Sequence, residues 1–273
     1  NPSKETSCRF KSGPGHQFNM NILISGAGQG IGKNIAFELS KSNHIDRIYL
    51  VSQSDKVFET KNEIKKISKK KVIAFKGDVS CTNFVSVLKE KLSTHQPNGL
   101  VNAAGILGKS EYFNMLSEKD FKHVYEVNLI GTFNMIKMIA EINNKNERIK
   151  IVNFAGGGAA YSYPKFLPYA LSKVAVVRLT ETLADEFKDL GYKNAQINCI
   201  APGAVKTKML ENVILSGGIV KTTVSIEEPT NLVKFLLSHE SNGITGRFIH
   251  SRDNYNDKCL FKDFENLKLR RRD

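Results

Sequence analysis

Apolar residues along the chain occur in short runs, and stretches with helical periodicity separate these runs. The runs are NILIS from Asn21, RIYLVS at 47–52, KVIAFKGD ending at Asp78, GLVNAAG ending at Gly105, IKIVNFA at 149–155, AQINCIA at 195–201 and RFIHS ending at Ser251. Helical patterns lie between them at about 33–42, 81–93 and 118–143, from Pro168 onward, and over EEPTNLVKFLLS. This alternation predicts an α/β fold, a doubly wound parallel sheet of about seven strands with helices on both faces. Its ligand site is expected at the carboxyl ends of the strands.

The N-terminal stretch differs from the rest of the chain. Residues 1–19 are polar and carry Gly-Pro-Gly at 13–15, without the apolar core of a signal peptide. Met20 stands directly before the first apolar run. We therefore expect Met20 to be the natural start, residues 1–19 to be a leader or disordered extension, and residues 20–273 to form a single domain.

Composition narrows the class of protein. Hydrophobic residues make up 41% and charged residues 25% of the chain, as in ordinary globular proteins, and no apolar run approaches the ~20 residues of a membrane span. The cysteines (Cys8, Cys81, Cys199 and Cys259) are scattered, which predicts neither disulfides nor a metal site. We therefore expect a cytoplasmic location. The net charge of +13 raises the alternative of a nucleic-acid or anionic-surface binder. Its lysines are spread along the chain, however, and only Arg270–Arg272 form a terminal basic cluster, so we expect no nucleic acid and no membrane partner.

A glycine-rich turn, SGAGQGIG at 25–32, connects the first strand to the first helix. In this position, backbone N–H groups and the helix dipole can hold a diphosphate. The glycine spacing (Gly26, Gly30, Gly32) differs from the commonest dinucleotide fingerprint, and a glycine-rich turn can also be a plain loop. Its place between a strand and a helix favours cofactor binding.

The end of the second strand bears on the choice of cofactor. An acidic residue there would hold a ribose diol, but the strand ends in Ser52 and the first acid is Asp55. A serine hydroxyl can donate to a 2′-phosphate, and Lys56 is close in sequence, so NADP is favoured over NAD. Gln53 weakens this preference, because an arginine often accommodates the 2′-phosphate in dinucleotide-binding folds.

Tyr169 and Lys173 lie four residues apart in PYALSKVAVVRLTE, at 168–181. On a helix this spacing places both side chains on one face. A nearby ammonium group is expected to lower the pKa of the phenol, which would suit the pair to move a proton on or off a small oxygen. The spacing alone also occurs by chance in half-buried helices.

Several motifs occur together in one order: SGAGQGIG, GDVS at 77–80, VNAAG at 101–105, Asn128, Tyr169 with Lys173, and APGAVKT at 201–207. Over roughly 20–250 the chain resembles the short-chain dehydrogenase/reductase family. The resemblance implies a Rossmann-like fold and a single dinucleotide-binding oxidoreductase domain at 20–273. It also implies hydride transfer between NADP or NAD and a carbonyl or alcohol.

The resemblance further implies individual roles. The cofactor-binding residues would be Ser25, Gly26, Gly30, Ile31 and Gly32 at the diphosphate; Ser52, Asp78 and Val79 at the adenosine; Asn102, Ala104 and Gly105 along the ribose and diphosphate; and Pro202, Gly203, Val205 and Thr207 at the nicotinamide. Tyr169 would pass the proton, and Lys173 would also bind the nicotinamide ribose. Asn128 would position a water that links Lys173 to solvent.

One departure from the family concerns the catalytic serine at the end of the fifth strand. Ala155 is the better match to that position and Gly156 the other candidate, and neither has a hydroxyl. Losing such a donor typically costs ~10²–10³-fold in rate. Tyr161 or Ser162 are candidate substitutes, and Ala155→Ser is expected to raise activity if none compensates. The C-terminus also departs from the family, because HSRDNYND replaces the usual Asp-Gly-Gly turn.

Three readings of the function remain. The first is an oxidoreductase acting on a small-molecule carbonyl or alcohol, including a sugar or nucleotide-sugar. The second is a catalytically impaired cofactor-binding or scaffold protein of the same fold, and the third is the anionic-surface binder. Relatives commonly form dimers or tetramers through the helices around Asn128 and Tyr169. The apolar residues Phe133, Met135, Val177 and Leu179 are candidates for such a homo-oligomer interface.

Overall fold

A seven-stranded parallel sheet forms the centre of the protein. The computed structural model describes residues 19–218, 220, 222–263 and 266–269. The strands are β1 Met20–Ser25, β2 Ile45–Ser52, β3 Lys71–Lys76, β4 Gly99–Asn102, β5 Ile149–Phe154, β6 Ala195–Ala201 and β7 Phe248–His250. Their spatial order is β3-β2-β1-β4-β5-β6-β7, and every neighbouring pair is parallel. This order confirms the predicted doubly wound, Rossmann-like sheet.

Helices cover both faces of the sheet, as predicted. They are α1 Gly30–Ser40, α2 Lys56–Ile67, α3 Thr82–Leu92, α4 Glu118–Tyr125, α5 Gly131–Ile142, α6 Leu167–Asp189, α7 Lys208–Leu215 and α8 Glu227–Leu237. On one face, Leu39 of α1 and Leu232 of α8 join the apolar cluster of β1 and β2. On the other face, Leu88 of α3 and Ile139 of α5 pack with residues of β4 and β5. Two apolar layers therefore hold the strands between the helices.

The predicted helical segment at 118–143 contains an irregularity at its centre. Between α4 and α5, Glu126–Ile130 form a π-helical turn. Such turns occur mostly as single insertions in α-helices, frequently at functional sites. Asn128 lies in this turn, fully buried.

Helix α7 was not predicted from the sequence. It begins after Thr207, whose Oγ1 accepts a hydrogen bond from the N–H of Leu210 at 3.5 Å. A threonine before an apolar run is a helix-start signal that the sequence does contain. The helix matters because it lies beside the cleft described below.

The proposed oligomer face needs correction. Met135 and Val177 are fully buried, each in an apolar cluster within the protein, and Leu179 packs against the cluster that contains Met135. Only Phe133 of the four is substantially exposed. Both helices are apolar on more than one side, so periodicity could not separate core positions from surface positions.

Two predictions concern chain ends. Apart from Asn19, the proposed leader at 1–19 lies outside the described residues, and so does the basic cluster Arg270–Arg272. Just before that cluster, the N–H of Leu269 donates to Glu181 Oε1 at 2.7 Å, and Arg178 donates to the Leu269 carbonyl at 2.7 Å. Leu269 is thereby fixed to α6.

Candidate active site

A cleft of about 710 Å³ opens at the carboxyl ends of the parallel strands. Thirteen predicted site residues line it: Gly26, Gly30, Ile31, Gly32, Ser52, Asp78, Val79, Ala104, Gly105, Tyr169, Lys173, Pro202 and Thr207. A second cavity of about 780 Å³ lies between α3 and α5 and contains none of the predicted residues. The cleft is therefore the site where the sequence motifs meet.

The glycine turn forms one wall of the cleft. Gly26 has φ +71°, and a Cβ there would lie 2.6 Å from the Ala103 carbonyl carbon. A Cβ on Gly32 would lie 2.4 Å from the Gly26 carbonyl oxygen, whereas Gly30 has no neighbour nearer than Thr207 Cγ2 at 3.6 Å. Gly26 and Gly32 thus permit tight backbone packing, and Gly30 leaves open space where α1 begins. Free N–H groups at such a helix start fit the diphosphate of a dinucleotide.

Two residues predicted at this wall lie behind it instead. Ser25 and Asn102 are buried and do not line the cleft. Ser25 Oγ accepts from the N–H of Ala104 at 3.3 Å and donates to Asn102 Oδ1 at 3.4 Å. Asn102 Nδ2 donates to Asn153 Oδ1 at 2.9 Å, which satisfies the buried amide. These two side chains therefore support the strand ends, and the predicted contacts of Ser25 and Asn102 with the cofactor stay predictions.

Asn153 was missed by the sequence analysis. It stands opposite Asn102 in the register of β4 and β5, and its Nδ2 donates to Thr180 Oγ1 on α6 at 2.9 Å. A buried amide in an apolar strand needs a partner, which is the signal that could have identified it. The chain Ser25, Asn102, Asn153 and Thr180 connects the glycine turn to the helix that carries Tyr169.

The loop after β6 also places only some of its predicted residues on the cleft. Pro202 and Thr207 line it, but Val205 is buried and pairs with Val224 in an isolated bridge. A Cβ on Gly203 would lie 2.8 Å from Val224 Cγ2. Gly203 and Val205 thus pack the loop against Val224, and their predicted contacts with the nicotinamide stay predictions.

The end of β2 carries polar groups and no unpaired acid. Ser52 and Lys56 line the cleft, and Lys56 Nζ donates to Gln29 Oε1 at 3.3 Å across its mouth. Asp55 points elsewhere and forms an ion pair with Lys76 at 2.7 Å. Gln53 Nε2 donates to Asp78 Oδ2 at 3.1 Å. A hydroxyl and a lysine therefore line the cleft at the end of β2.

Lys173 is buried beside Tyr169 on the first turns of α6. Its Nζ lies 5.7 Å from the centre of the Tyr169 ring and donates to the Phe154 carbonyl at 2.9 Å. Burial lowers the pKa of Lys173 to about 8. At neutral pH the ammonium form is therefore still favoured, though less strongly than in water.

The predicted effect of Lys173 on its neighbour is wrong in direction for this structure. Burial raises the pKa of the Tyr169 phenol, and the nearby Tyr163 raises it further. Removing a phenol from water disfavours the phenolate, and here the ammonium group is directed to the Phe154 carbonyl. Tyr169 is consequently held as a neutral phenol, which is the form that can donate a proton.

Asn128 is fixed beside this pair by the π-helical turn. Its Oδ1 accepts from the N–H of Ile106 at 2.8 Å, and its Nδ2 donates to the Ile106 carbonyl at 3.0 Å and to Ser172 Oγ at 2.9 Å. A Cβ on Gly105 would lie 3.2 Å from Asn128 Oδ1 and 3.3 Å from Lys173 Nζ. Asn128 itself does not line the cleft, but it lies behind Gly105 close to Lys173. The water it would position stays a prediction.

The residues after β5 leave no hydroxyl at the expected place. Ala155 is buried and packs with Val176 and Val177. Gly156 has φ +154°, and a Cβ there would lie 2.8 Å from Tyr169 Oη. Gly156 is therefore the residue that faces the phenol, and a serine would clash with it. Tyr161 is 78% exposed and Ser162 is also exposed, so the proposed substitutes do not fold back into the site.

An apolar cluster missed by the sequence analysis surrounds the Tyr169 ring. It consists of Leu107, Tyr163, Phe166, Met209, Val213, Val220 and Tyr169 itself. The Tyr163 ring lies 5.1 Å from the Phe166 ring and 6.1 Å from the Tyr169 ring. The cluster combines the loops after β4, before α6 and after α7 with α7 itself, which are far apart in sequence. Met209 and Tyr169 of the cluster line the cleft, and its other members lie behind them.

Two negative findings apply to the described part of the chain. No group of histidine, cysteine, aspartate or glutamate residues there is arranged to hold a metal ion. In the same residues, no helix is long and apolar enough to cross a bilayer.

Known proteins resemble the chain in sequence. The family model for short chain dehydrogenases matches residues 20–215. A 3-oxoacyl-[acyl-carrier-protein] reductase of Buchnera aphidicola is 32% identical over 237 residues, covering 84% of this chain and 94% of the relative. L-xylulose reductase of Caenorhabditis elegans is 29% identical over 246 residues, covering 82% of this chain and 91% of the relative.

Solved structures match the fold. A short chain dehydrogenase from Escherichia coli CFT073 complexed with NADPH has a TM-score of 0.77 at 20% identity, covering 87% of this chain and 100% of that one. A 3-oxoacyl-[acyl-carrier protein] reductase from Brucella melitensis with bound NAD has a TM-score of 0.74 at 24% identity, covering 85% of this chain and 89% of that one. At these identities the likeness establishes the fold alone.

Proposed function

Because the chain belongs to the short-chain dehydrogenase family and is an NAD(P)-dependent oxidoreductase, we propose that it interconverts a small carbonyl compound and its alcohol with NADP(H). The observation that carries this proposal is the cleft itself, which brings the glycine turn and the Tyr169–Lys173 pair to one surface. When bound, the nicotinamide supplies or accepts the hydride.

The protein's own residues would hold the cofactor and move the proton. The start of α1 at Gly30 and the open space beside it fit a diphosphate, and Gly105, Pro202 and Thr207 line the path toward Tyr169. Tyr169, a neutral phenol, donates its proton to the substrate oxygen. Lys173 donates to a ribose hydroxyl and, with Asn128 behind it, returns a proton to Tyr169 from solvent.

The preference for NADP rests on the end of β2. Ser52 and Lys56 line the cleft, while the nearest acid of that loop, Asp55, is engaged by Lys76. A 2′-phosphate therefore meets a hydroxyl and an ammonium instead of a carboxylate, and hydrogen bonds to charged groups are the stronger kind.

Calorimetric titration with both cofactors tests this preference. We expect tighter binding of NADPH than of NADH, and Lys56→Ala to weaken NADPH by about 3- to 10-fold while leaving NADH unchanged. Lys65→Ala, an exposed lysine on the same helix, is the matched control. Clearly tighter binding of NADH by the wild type would overturn the choice of NADP.

For the substrate, the apolar cluster around Tyr169 favours a carbonyl with an apolar substituent. Met209 of this cluster lines the cleft beside Tyr169, and the buried Leu107, Phe166 and Val213 behind it offer no hydrogen bonds to sugar hydroxyls. Unpaired polar groups would be costly there. The sugar and nucleotide-sugar alternative is accordingly less well supported than an apolar ketone or aldehyde.

Turnover is the direct test of the proposed function. We would follow NADPH oxidation with a panel of apolar ketones and aldehydes beside open-chain sugars. Reduction of apolar carbonyls supports the proposal, and preference for sugars would contradict the substrate class. Tight NADPH binding without turnover on any carbonyl would revive the impaired or scaffold alternative, to which the relatives lend no support.

Oligomerisation and location complete the proposal. The exposed apolar side chains on the helices around Asn128 and Tyr169 are Ile130, Phe133, Leu167, Leu171 and Val174, which suit a homodimer or homotetramer. Light scattering at micromolar concentration tests the oligomeric state, and a monomer would count against this proposal.

A cytoplasmic location stays a prediction from the cysteines, and Cys81, Cys199 and Cys259 are free thiols.

A further inference from the structure

The segment 266–269 lies along the edge strand β7 and contacts two apolar clusters. The N–H of Phe248 donates to the Leu267 carbonyl at 2.7 Å, and Arg247 Nη1 donates to the Asn266 carbonyl at 2.7 Å. Leu267 packs against the large cluster that includes residues of α1 and α8. Leu269 packs against a smaller cluster that includes residues of α6. The two leucines of this segment therefore support different parts of the protein.

Two side chains of α6 hold the backbone of Leu269. Its N–H donates to Glu181 Oε1 at 2.7 Å, and its carbonyl accepts from Arg178 Nη2 at 2.7 Å. Glu181 Oε2 lies 2.7 Å from Arg178 Nη1, in an ion pair that is not also a well-directed hydrogen bond. The Glu181 side chain is only 5% exposed, and a buried carboxylate is costly unless such partners satisfy it. A specific polar arrangement, and not apolar contact alone, therefore sets the position of Leu269.

The cluster against which Leu269 packs adjoins the groups that hold Lys173. Its buried members are Ala155, Ala159, Val176, Val177 and Cys199. Ala155 directly follows Phe154, whose carbonyl accepts from Lys173 Nζ at 2.9 Å. Val176 and Val177 stand on the helical turn after Lys173. The cluster thus supports both the strand end and the helix turn between which the ammonium group is held.

Other elements around Lys173 meet the same cluster. Leu129, which follows Asn128 in the π-helical turn, packs against it. The titratable groups beside Lys173 in the described chain are Tyr169 on its own helix and the Cys199 thiol on β6. Burial raises the pKa of both, to about 12 for Cys199, so both are neutral at neutral pH. The position of the ammonium group therefore depends on packing and on its contact with the β5 end.

We propose that Leu269 is a positioning residue, which holds this cluster together and thereby keeps the Lys173 ammonium group fixed beside Tyr169. Glu181 and Arg178 act through Leu269, because they fix its backbone. Leu269 does not line the cleft, so it acts on the lysine and not on the substrate. The inference rests on the proposed function, in which Lys173 binds the nicotinamide ribose and returns a proton to Tyr169.

The test compares Leu269→Ala with Leu267→Ala by titrating NADPH at a series of pH values. Wild-type affinity should fall above about pH 8, where Lys173 loses its proton. In Leu269→Ala, water enters the cluster and favours the ammonium form, so we expect this fall to move up by about 0.5–1 pH unit. We also expect kcat at pH 7 to decrease by about 3- to 10-fold, because the lysine is less well placed.

Leu267→Ala is the matched control, because it removes the same side chain from the same segment but on the other cluster. It should keep the wild-type pH profile and kcat, although both alanine variants should melt at a lower temperature than the wild type. Leu269→Met keeps most of the apolar contact and should restore the wild-type profile. Thermal melting therefore separates lost stability from lost positioning.

The outcomes separate this inference from the proposed function. A wild-type pH profile and kcat in Leu269→Ala would overturn the role of Leu269, and so would an equal shift in Leu267→Ala. A wild-type NADPH affinity that stays constant from about pH 7 to about pH 9.5 would overturn it as well. If the wild type reduces no carbonyl, the proposed function fails, while the NADPH profile of Leu269→Ala still decides whether Leu269 positions Lys173.

Discussion

The two ends of the cleft are built in different ways. At the diphosphate end, the surface is largely backbone, and glycines permit packing that any side chain would block, as at Gly26 and Gly32. Buried polar side chains behind it, Ser25 and Asn102, hold that backbone in place. At the substrate end, an apolar cluster of side chains from the loops after β4, before α6 and after α7, together with α7 itself, packs against Tyr169. The first end therefore fixes the kind of cofactor, whereas the second leaves room for changes in substrate and in hydrogen-bond donors.

A pair of glycine substitutions should give the largest contrast between the two ends. Gly26→Ala places a methyl group 2.6 Å from the Ala103 carbonyl carbon at a positive φ, whereas Gly157→Ala has nothing within 4 Å. Overpacking of this kind costs ~1–3 kcal/mol, so we expect NADPH affinity to fall by up to about 100-fold in Gly26→Ala. Gly157→Ala should bind NADPH as the wild type does. Equal NADPH affinities in a calorimetric titration of the two variants would contradict the claim that packing at Gly26 is needed for cofactor binding.

Lys173→Ala should lower both the catalytic efficiency and the NADPH affinity. Lys173 lines the cleft, donates to the Phe154 carbonyl and stands beside Tyr169. We expect kcat/KM to fall by about 10²–10⁴-fold, together with a weaker NADPH affinity. Lys188→Ala, an exposed lysine near the end of the same helix, is the control. Normal cofactor binding by Lys173→Ala would contradict the assignment of Lys173 to both roles.

The pH dependence should report on the same lysine. Burial lowers the pKa of Lys173 from 10.5 to about 8, so the side chain is charged below that pH and loses its proton above it. If the charged form returns the proton to Tyr169, kcat/KM for carbonyl reduction falls up to tenfold per pH unit above about pH 8. A profile that stays flat from about pH 7 to about pH 9.5 would rule out this role.

Ala155→Ser should have the smallest effect, contrary to the gain expected from the sequence. Ala155 lines the cleft but is buried in an apolar cluster with Val176, Val177 and Cys199, so an added hydroxyl enters partly apolar surroundings. Burying it without a partner costs ~1–3 kcal/mol of stability. We expect kcat/KM within about threefold of wild type and a lower melting temperature, with Ala160→Ser as an exposed control. A gain of tenfold or more would mean that the hydroxyl reaches the substrate.

The contrast between the two ends also explains what the sequence could predict. The glycine turn is visible in the sequence because its sterics are local, and the pair of Tyr169 and Lys173 is visible because it shares one helix face. Asn153 was missed because its partner Asn102 is distant in sequence and adjacent only in the sheet. The direction of the Tyr169 pKa was wrong because local spacing does not reveal burial.

The residues at the substrate end of the cleft could not be predicted from the sequence in the same way. Tyr163, Leu107 and Val213 come from separate segments, and only folding brings them to Tyr169. For Met135 and Val177, the sequence could not separate a surface position from the buried position they occupy, because helices packed on more than one side have no single apolar stripe. Three-dimensional packing, and not pattern, decided these positions.

The central claim is that Tyr169 donates the proton at a site whose cofactor end works independently of it. Tyr169→Phe tests this most directly, with NADPH affinity and kcat for a reduced carbonyl measured on the same preparation. The account predicts an NADPH dissociation constant within about twofold of wild type and a loss of kcat of about 10²–10⁴-fold. Residual activity above about a tenth of wild type, or a matching loss of NADPH affinity, would contradict it.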